Sequence, residues 1–133
     1  MIYREVGRQD LRGDIKVSDM KIDTVRSSNS GVVGRALSEA RGHRLVLDSS
    51  SRPQPDAFTN SEAFLAGVSS CGVTLIEMHA RETGVPLKRI DVTIEGARSA
   101  VEPNRFSSVT MTFEIGGVSQ SQADELVATY RGR

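Results

Sequence analysis

The chain has 133 residues, of which 38% are hydrophobic and 26% charged. These values are ordinary for a soluble globular protein, and the length is sufficient to bury a core without disulfide or metal cross-links. The 17 basic and 17 acidic residues cancel, so no net field attracts nucleic acid or an anionic membrane surface. We therefore predict a single domain over residues 1–133 that binds neither nucleic acid nor a membrane.

The chain contains one cysteine, Cys71. A single cysteine excludes an intrachain disulfide and a Cys-rich zinc site, and it fits a reducing compartment. Residues 1–5 have no apolar segment typical of a signal peptide, and no stretch approaches the roughly 18 apolar residues of a membrane span. These observations predict a cytoplasmic protein.

The first half of the chain is β-like. Residues 1–20 are polar and weakly patterned, which predicts an N-terminal arm or an edge strand. From Lys21 onward, scattered valines and isoleucines are interrupted at residues 27–31 by Ser-Ser-Asn-Ser-Gly, a turn composition. Arg41-Gly42 separates residues 33–39 from residues 43–48, and this predicts two antiparallel strands joined near Gly42.

A long helix is predicted at roughly residues 61–83, after a polar loop at 49–58. Thr59 and Glu62 match the capping box, in which each side chain accepts a hydrogen bond from the other residue's N–H. Gly84 is suited to a left-handed C-cap, and Pro86 ends the helix. The apolar positions recur every three or four residues, which predicts a largely buried helix. They are Phe64, Val68, Cys71, Leu75 and Met78.

Alternating apolar residues at 90–94 and 109–115 predict two strands, each with one buried and one solvated face. Gly116-Gly117 ends this pair. Ser119 and Gln122 form a second capping box, which opens a helix with Ala123, Leu126, Val127 and Tyr130 on one side. The predicted fold class is therefore α+β, with antiparallel strands, a long central helix and a C-terminal helix.

This order of elements, with a cysteine inside the long helix, resembles the OsmC/Ohr family of thiol-dependent hydroperoxide-detoxifying proteins. Residues 62–71, Glu-Ala-Phe-Leu-Ala-Gly-Val-Ser-Ser-Cys, look like the family's cysteine helix. Residues 43–48 look like its Gly-His-x-Leu-x-x-Asp strand, and residues 84–96 look like its return strand ending in glycine. The resemblance covers about residues 20–133.

The resemblance implies an intertwined homodimer with the two long helices packed centrally. Family active sites lie at the subunit interface, where a reactive cysteine meets an arginine and often a glutamate. The thiolate attacks an organic hydroperoxide and yields sulfenic acid and an alcohol. A second cysteine then forms a disulfide that an external thiol reductant removes. The chemistry implied needs no organic cofactor and no metal.

Two features of this chain depart from the family pattern. The family's second cysteine usually follows a helix like residues 119–130, and residues 131–133 do not contain it. Either the sequence stops just before that element or the protein is a one-cysteine member, in which an external thiol must reduce the sulfenic acid directly. Arg-Pro-Gln-Pro at residues 52–55 also replaces the family's Gly-Gly segment ahead of the helix.

A catalytic Cys71 requires a neighbouring cation. It lies about three turns into the helix, beyond the first turn where the macrodipole acts most strongly, and an ordinary thiol is only a few per cent ionised at neutral pH. Arg35 and Arg26 in the N-terminal strands are the candidates, with Arg35 favoured. A guanidinium could hold a thiolate and also orient a peroxide oxygen.

Glu62 precedes Cys71 by nine residues, which is about 180° round a helix and about 13 Å along it. The two side chains therefore cannot meet within one straight helix, and Glu62 either caps the helix or organises the arginine of a partner's site. Two hypotheses follow. In the first, Cys71 is the nucleophile of a hydroperoxide reductase, activated by Arg35 or Arg26. In the second, Cys71 is inert in an OsmC-like dimer that binds an apolar small molecule.

Overall fold

Two sheets and two helices make up residues 17–132, the part of the chain that the computed structural model describes. A 3-10 turn at Val17–Asp19 is followed by β1 (Arg26–Asn29), β2 (Arg35–Ala40), β3 (His43–Asp48), β4 (Phe58–Thr59), α1 (Asn60–Thr83), β5 (Arg89–Ala97), β6 (Ser108–Gly116) and α2 (Gln120–Arg131). The predicted α+β class is confirmed. The arm or edge strand expected within residues 1–20 falls mostly on residues 1–16, which lie outside the described part.

The first sheet has the strand order β1-β2-β3-β4. Strands β2 and β3 are antiparallel and are joined by Arg41 and Gly42, whose φ angles are 50° and 80°. Two positive φ values in succession are typical of the type I′ turn, whose twist matches that of a two-stranded hairpin. The predicted pair of strands joined near Gly42 is therefore confirmed.

The turn predicted at residues 27–31 is misplaced. Ser27, Ser28 and Asn29 belong to β1, and the turn falls at residues 30–34. Ser27 lies opposite Ser38 of β2, and their hydroxyl oxygens are 2.8 Å apart. A serine run that composition alone assigns to a turn is accommodated in a strand here because each polar side chain faces solvent or a polar neighbour.

The short strand β4 was not predicted. It runs parallel to the end of β3, with Phe58 opposite Leu47 and Thr59 opposite Asp48. Thr59 is also the N-cap of α1. The β3–β4 pairing therefore fixes the start of the long helix beside Asp48.

Helix α1 begins and ends as predicted. Thr59 Oγ1 accepts a hydrogen bond from the Glu62 N–H at 3.2 Å, and Glu62 Oε1 accepts one from the Thr59 N–H at 2.8 Å. Gly84 adopts φ 71° at the C-cap, a left-handed conformation that glycine takes without steric cost. Both ends of the helix are thus determined by local hydrogen bonding and backbone geometry.

The core lies in the C-terminal part of the chain. Strands β5 and β6 form an antiparallel pair, α1 packs against β5, and α2 packs against α1. Ile76 and Ala80 of α1 meet Leu126 of α2, and all three are at most 2% exposed. Gly72 leaves room for Phe113 and other side chains of β6 and α2. The predicted C-terminal helix, with its Ser119 capping box, is confirmed.

The prediction that α1 is largely buried is wrong for the single chain. Phe64 is 60% exposed and Met78 58% exposed, and Cys71 between them is also exposed. The apolar residues of α1 cover two faces of the helix about 120° apart. Its own chain covers the face of Gly72, Ile76 and Ala80. It leaves the other face largely open, where the only aromatic contact among the described residues is the stacking of Phe64 on Phe106.

By length and composition alone, α1 could also cross a membrane, since its most apolar window has a mean hydropathy of 1.3. However, Ile76 and Ala80 pack with Leu126 and with side chains of β5 and β6. These contacts identify α1 as the core helix of a packed α+β domain.

Candidate functional site

Arg35 and Asp48 form a bidentate ion pair across the β2–β3 hairpin. The two residues lie directly opposite each other in the strand register. Arg35 Nε donates to Asp48 Oδ1 at 2.7 Å, and Nη2 donates to Oδ2 at 3.0 Å. The Asp48 side chain is 1% exposed, and the Gln54 N–H also donates to it at 3.2 Å. Asp48 is thus a buried carboxylate with partners on both oxygens, as burial of a charge requires.

A second carboxylate, Asp56 from the loop before β4, binds the outer edge of the same guanidinium. Nη2 of Arg35 donates to Asp56 Oδ1 at 2.5 Å, and Nη1 donates to Oδ2 at 3.1 Å. The Asp56 side chain is 69% exposed. Hydrogen bonds from Arg35 lower the pKa of both Asp48 and Asp56, and the same bonds raise the pKa of Arg35.

Four of the five N–H bonds of Arg35 are therefore directed at carboxylates. One positive and two negative charges leave the cluster of Arg35, Asp48 and Asp56 with a net negative charge. We call these three residues the arginine cluster. In this state it offers little positive potential to a thiol.

Glu62 caps α1 beside this cluster. Hydrogen bonds from Thr59 lower the pKa of Glu62. The larger contribution comes from the backbone N–H of Thr59 and the smaller one from its side chain. Because Thr59 pairs with Asp48, the cap and the arginine cluster share one corner of the molecule. No ion pair joins Glu62 to an arginine among residues 17–132.

Cys71 lies on the open face of α1, between Phe64 and Met78. It is exposed, and the helical rise places it about 18 Å along the axis from the Thr59 cap. Within the described residues, no hydrogen bond joins its sulfur to Arg35, whose donors contact Asp48 and Asp56. The single chain therefore brings Arg35 and Glu62 to one corner and leaves Cys71 apart from them.

Arg26, the other candidate cation, is an exposed residue of β1. It lies opposite Glu39 in the register and therefore shares a sheet face with that residue. Among residues 17–132 it forms no ion pair, because Glu39 contacts Arg44 instead, at 3.4 Å. That Cys71, Arg35 (or Arg26) and Glu62 act together stays a prediction.

The two aspartates of the cluster were not identified as site residues from the sequence. The hairpin register could have indicated Asp48, because it places an acid at the end of β3 opposite Arg35. Asp56 lies in an irregular polar loop and gives no periodic signal. Within the described part of the chain, no group of three or more His, Cys, Asp or Glu side chains is placed to hold a metal ion.

Residues 53–132 match the family model described as OsmC-like protein. No curated protein matches the chain. Solved structures match well in fold, among them an OsmC like protein from Mycoplasma pneumoniae, which has a TM-score of 0.71 and 17% identity over 85% of this chain and 82% of that one.

Two further similar structures are of proteins named for organic hydroperoxide resistance. One is an organic hydroperoxide resistance protein OsmC from Legionella pneumophila, with a TM-score of 0.64 and 21% identity over 85% of this chain and 84% of that one. The other is an organic hydroperoxide resistance protein from Elizabethkingia anophelis, with a TM-score of 0.67 and 14% identity over 85% and 83%. At these identities the likeness establishes the fold.

Proposed function

The chain belongs to the OsmC-like protein family, and on that premise we propose that it is a thiol-dependent peroxidase that reduces organic hydroperoxides through Cys71. The observation that carries the proposal is the exposed thiol of Cys71 on the open apolar face of α1. Phe64 and Met78 flank it on the same face and would favour a substrate with an apolar body. Similar structures titled organic hydroperoxide resistance proteins support this substrate class.

We further propose that the active protein is a homodimer. The chain exposes 11177 Å² for a mass of 14.4 kDa, whereas a folded monomer of that mass exposes about 6,800 Å². Even with the full surface of an unfolded chain, residues 1–16 would add only about 2,600 Å². The remaining excess is comparable with the area that each subunit of an obligate homodimer buries. We propose that a second copy of the chain covers the open apolar face of α1.

In such a dimer the cation for Cys71 would come from the second chain. The partner subunit's Arg35 is the favoured candidate and the partner subunit's Arg26 is the alternative. A guanidinium beside the thiol would favour the thiolate and could orient the peroxide oxygen. Glu62 would lie at the same corner as the cap of α1, and the alternative role for its carboxylate is to organise the arginine.

The proposed reaction has two steps. The Cys71 thiolate attacks the outer oxygen of ROOH, so that an S–O bond forms, the O–O bond breaks and the alkoxide leaves as ROH after taking up a proton. The sulfenic acid is then reduced by two equivalents of an external thiol, which yields water, a disulfide of that thiol and regenerated Cys71. No organic cofactor or metal takes part, and the need for reducing thiols favours a cytoplasmic location.

The test is consumption of cumene hydroperoxide with dithiothreitol as reductant. We expect wild type to turn over the peroxide, Cys71→Ser to lose turnover, and Arg35→Gln to reduce it at least tenfold. Arg26→Gln serves as the matched variant of the alternative cation. Equal consumption by wild type and Cys71→Ser would refute the proposal.

The alternative function is an OsmC-like dimer that binds an apolar small molecule while Cys71 stays inert. This alternative is favoured by the two carboxylates bound to Arg35. They offset the positive charge of the guanidinium, so Arg35 is not available to stabilise a thiolate. Alkylation by iodoacetamide separates the two functions. Under the alternative, Cys71 reacts no faster at neutral pH than an ordinary exposed thiol, and Arg35→Gln does not change the rate.

A further inference from the structure

The two carboxylates that bind Arg35 differ in how firmly they are held. Asp48 is 1% exposed, lies on a strand and also accepts a hydrogen bond from Gln54. Asp56 is 69% exposed and lies in the loop between β3 and β4. A buried carboxylate cannot leave its cation without a large desolvation penalty, whereas an exposed one exchanges its cation for water at little cost.

We infer that Asp56 is an exchangeable counter-ion that controls Arg35, and that Asp48 is the permanent one. The inference deepens the proposed function and rests on it for the role of Arg35. With Asp56 bound, Arg35 has one free N–H. With Asp56 displaced, two further N–H bonds become free, which makes three in all, while Asp48 continues to hold the guanidinium in place.

A second cation gives Asp56 another position to occupy. An open depression of about 600 Å³ lies beside the cluster, and Arg52 lines it together with Arg35 and Asp56. The Arg52 side chain packs over Gly34, the residue before Arg35, where a Cβ would lie 3.2 Å from the Arg52 side chain. Arg52 makes no ion pair with any residue in the range 17–132. Arg52 would therefore be a second cation, lining the same depression, with which a displaced Asp56 could pair.

This exchange changes the effect of the cluster on a nearby thiolate. While Asp56 is bound, the cluster is net negative and disfavours a thiolate. Once Asp56 leaves, Arg35 and Asp48 balance, and the free edge of the guanidinium can donate to a thiolate or a peroxide oxygen. Asp56 is thus a positioning residue that acts through Arg35, and its removal raises the reactivity of Cys71.

The experiment measures alkylation of Cys71 by iodoacetamide in the full chain, over a range of pH and at one protein concentration. We expect Asp56→Asn to increase the rate at pH 7 by about three- to tenfold, which corresponds to a shift of the pH profile by up to about one unit. Asp56→Glu keeps the carboxylate and should return the rate to near the wild-type value. Asp23→Asn, which neutralises an aspartate 85% exposed and outside the cluster, is the charge-matched control and should change nothing.

The same comparison is then made in an Arg35→Gln background. There Asp56→Asn should have no effect, because the residue through which Asp56 acts is missing. An unchanged or slower rate for Asp56→Asn, or an increase that persists without Arg35, would overturn the inference. A purely structural effect of the loop would persist in that background and would not be reversed by Asp56→Glu.

The readout also separates this inference from the proposed function. Alkylation needs no peroxide, so it reports on the link between Asp56, Arg35 and Cys71 even if cumene hydroperoxide consumption does not depend on Cys71. Conversely, Cys71-dependent peroxide consumption with an unchanged alkylation rate in Asp56→Asn would overturn the inference and leave the peroxidase proposal intact.

Discussion

The two halves of the chain are held together by different forces. In the C-terminal half, α1, β5, β6 and α2 surround Ile76, Ala80 and Leu126, which are almost fully buried. In the N-terminal sheet, by contrast, Leu45 is 62% exposed and no apolar side chain is fully buried within residues 18–59. The most buried side chain there is Asp48, held by Arg35.

This difference indicates which half has enough buried apolar surface to be stable within a single chain. Burial of apolar surface stabilises a fold without regard to direction, whereas a buried ion pair mainly fixes geometry and contributes little net stability. The C-terminal half therefore contains the apolar core that holds α1, the helix that carries Cys71. The N-terminal sheet has well-defined strand pairing but leaves its apolar side chains uncovered, and in the proposed dimer a second copy would cover them.

The largest expected effect is on the C-terminal core. Leu126→Ala removes a side chain that is 2% exposed and should lower the free energy of unfolding by about 3 kcal/mol, through lost burial and a residual cavity. Val33→Ala, at a position 84% exposed in the N-terminal region, should change it by less than about 0.5 kcal/mol. Urea denaturation at equal protein concentrations measures both. Similar losses for the two variants would contradict the proposed contrast.

The second-largest expected effect is a loss of thermal stability when the arginine cluster is disrupted. Asp48→Asn leaves Arg35 beside a neutral group in a buried position and should lower the melting temperature by roughly 5 °C. Asp91→Asn is the matched control, because Arg89 and Asp91 form an ion pair of the same residue types whose side chains are 75% and 47% exposed. Calorimetry should show a change of about 1 °C or less for the control. Equal shifts would mean that burial does not distinguish the two pairs.

The accuracy of the predictions made from the sequence also differs between features that are encoded locally and features that depend on distant contacts. Helix α1 and its ends were predicted correctly because Thr59, Glu62 and Gly84 encode the ends locally. The exposure of Phe64 and Cys71 was not predicted, because periodicity reveals which faces are apolar but not which chain covers them. The β3–β4 pairing was missed, since a two-residue parallel strand carries no periodic signal.

The candidate site shows the same limit. Cys71, Arg35 and Glu62 were selected from the sequence, yet the partners that occupy Arg35 come from a hairpin register and an irregular loop. Residue type indicates which chemistry a side chain can perform. Whether an arginine is available depends on long-range pairing, which a single sequence does not specify.

The ion pair also predicts a pH dependence of stability. Hydrogen bonds from Arg35 lower the pKa of Asp48 in the folded state, so this contribution is fully present above the unfolded value of about 3.9 and is lost as the pH falls toward the lowered folded value. The difference in melting temperature between wild type and Asp48→Asn should therefore be constant from pH 7 to about pH 5 and shrink below about pH 4. A difference that grows on acidification would contradict this assignment.

The smallest effect tests whether Glu62 is a cap or a member of the arginine site. Thr59→Ala removes the hydroxyl that accepts the Glu62 N–H and should lower the free energy of unfolding by about 1 kcal/mol. Glu62→Gln keeps an oxygen that can accept the Thr59 N–H, as Gln122 does for Ser119 in α2, and should leave both stability and Cys71 alkylation nearly unchanged. If Glu62→Gln preserved stability but changed the alkylation rate, the carboxylate charge would have a role beyond capping, because capping needs only the oxygen. The pair of variants thus separates the helix-forming function of this corner from its electrostatic one.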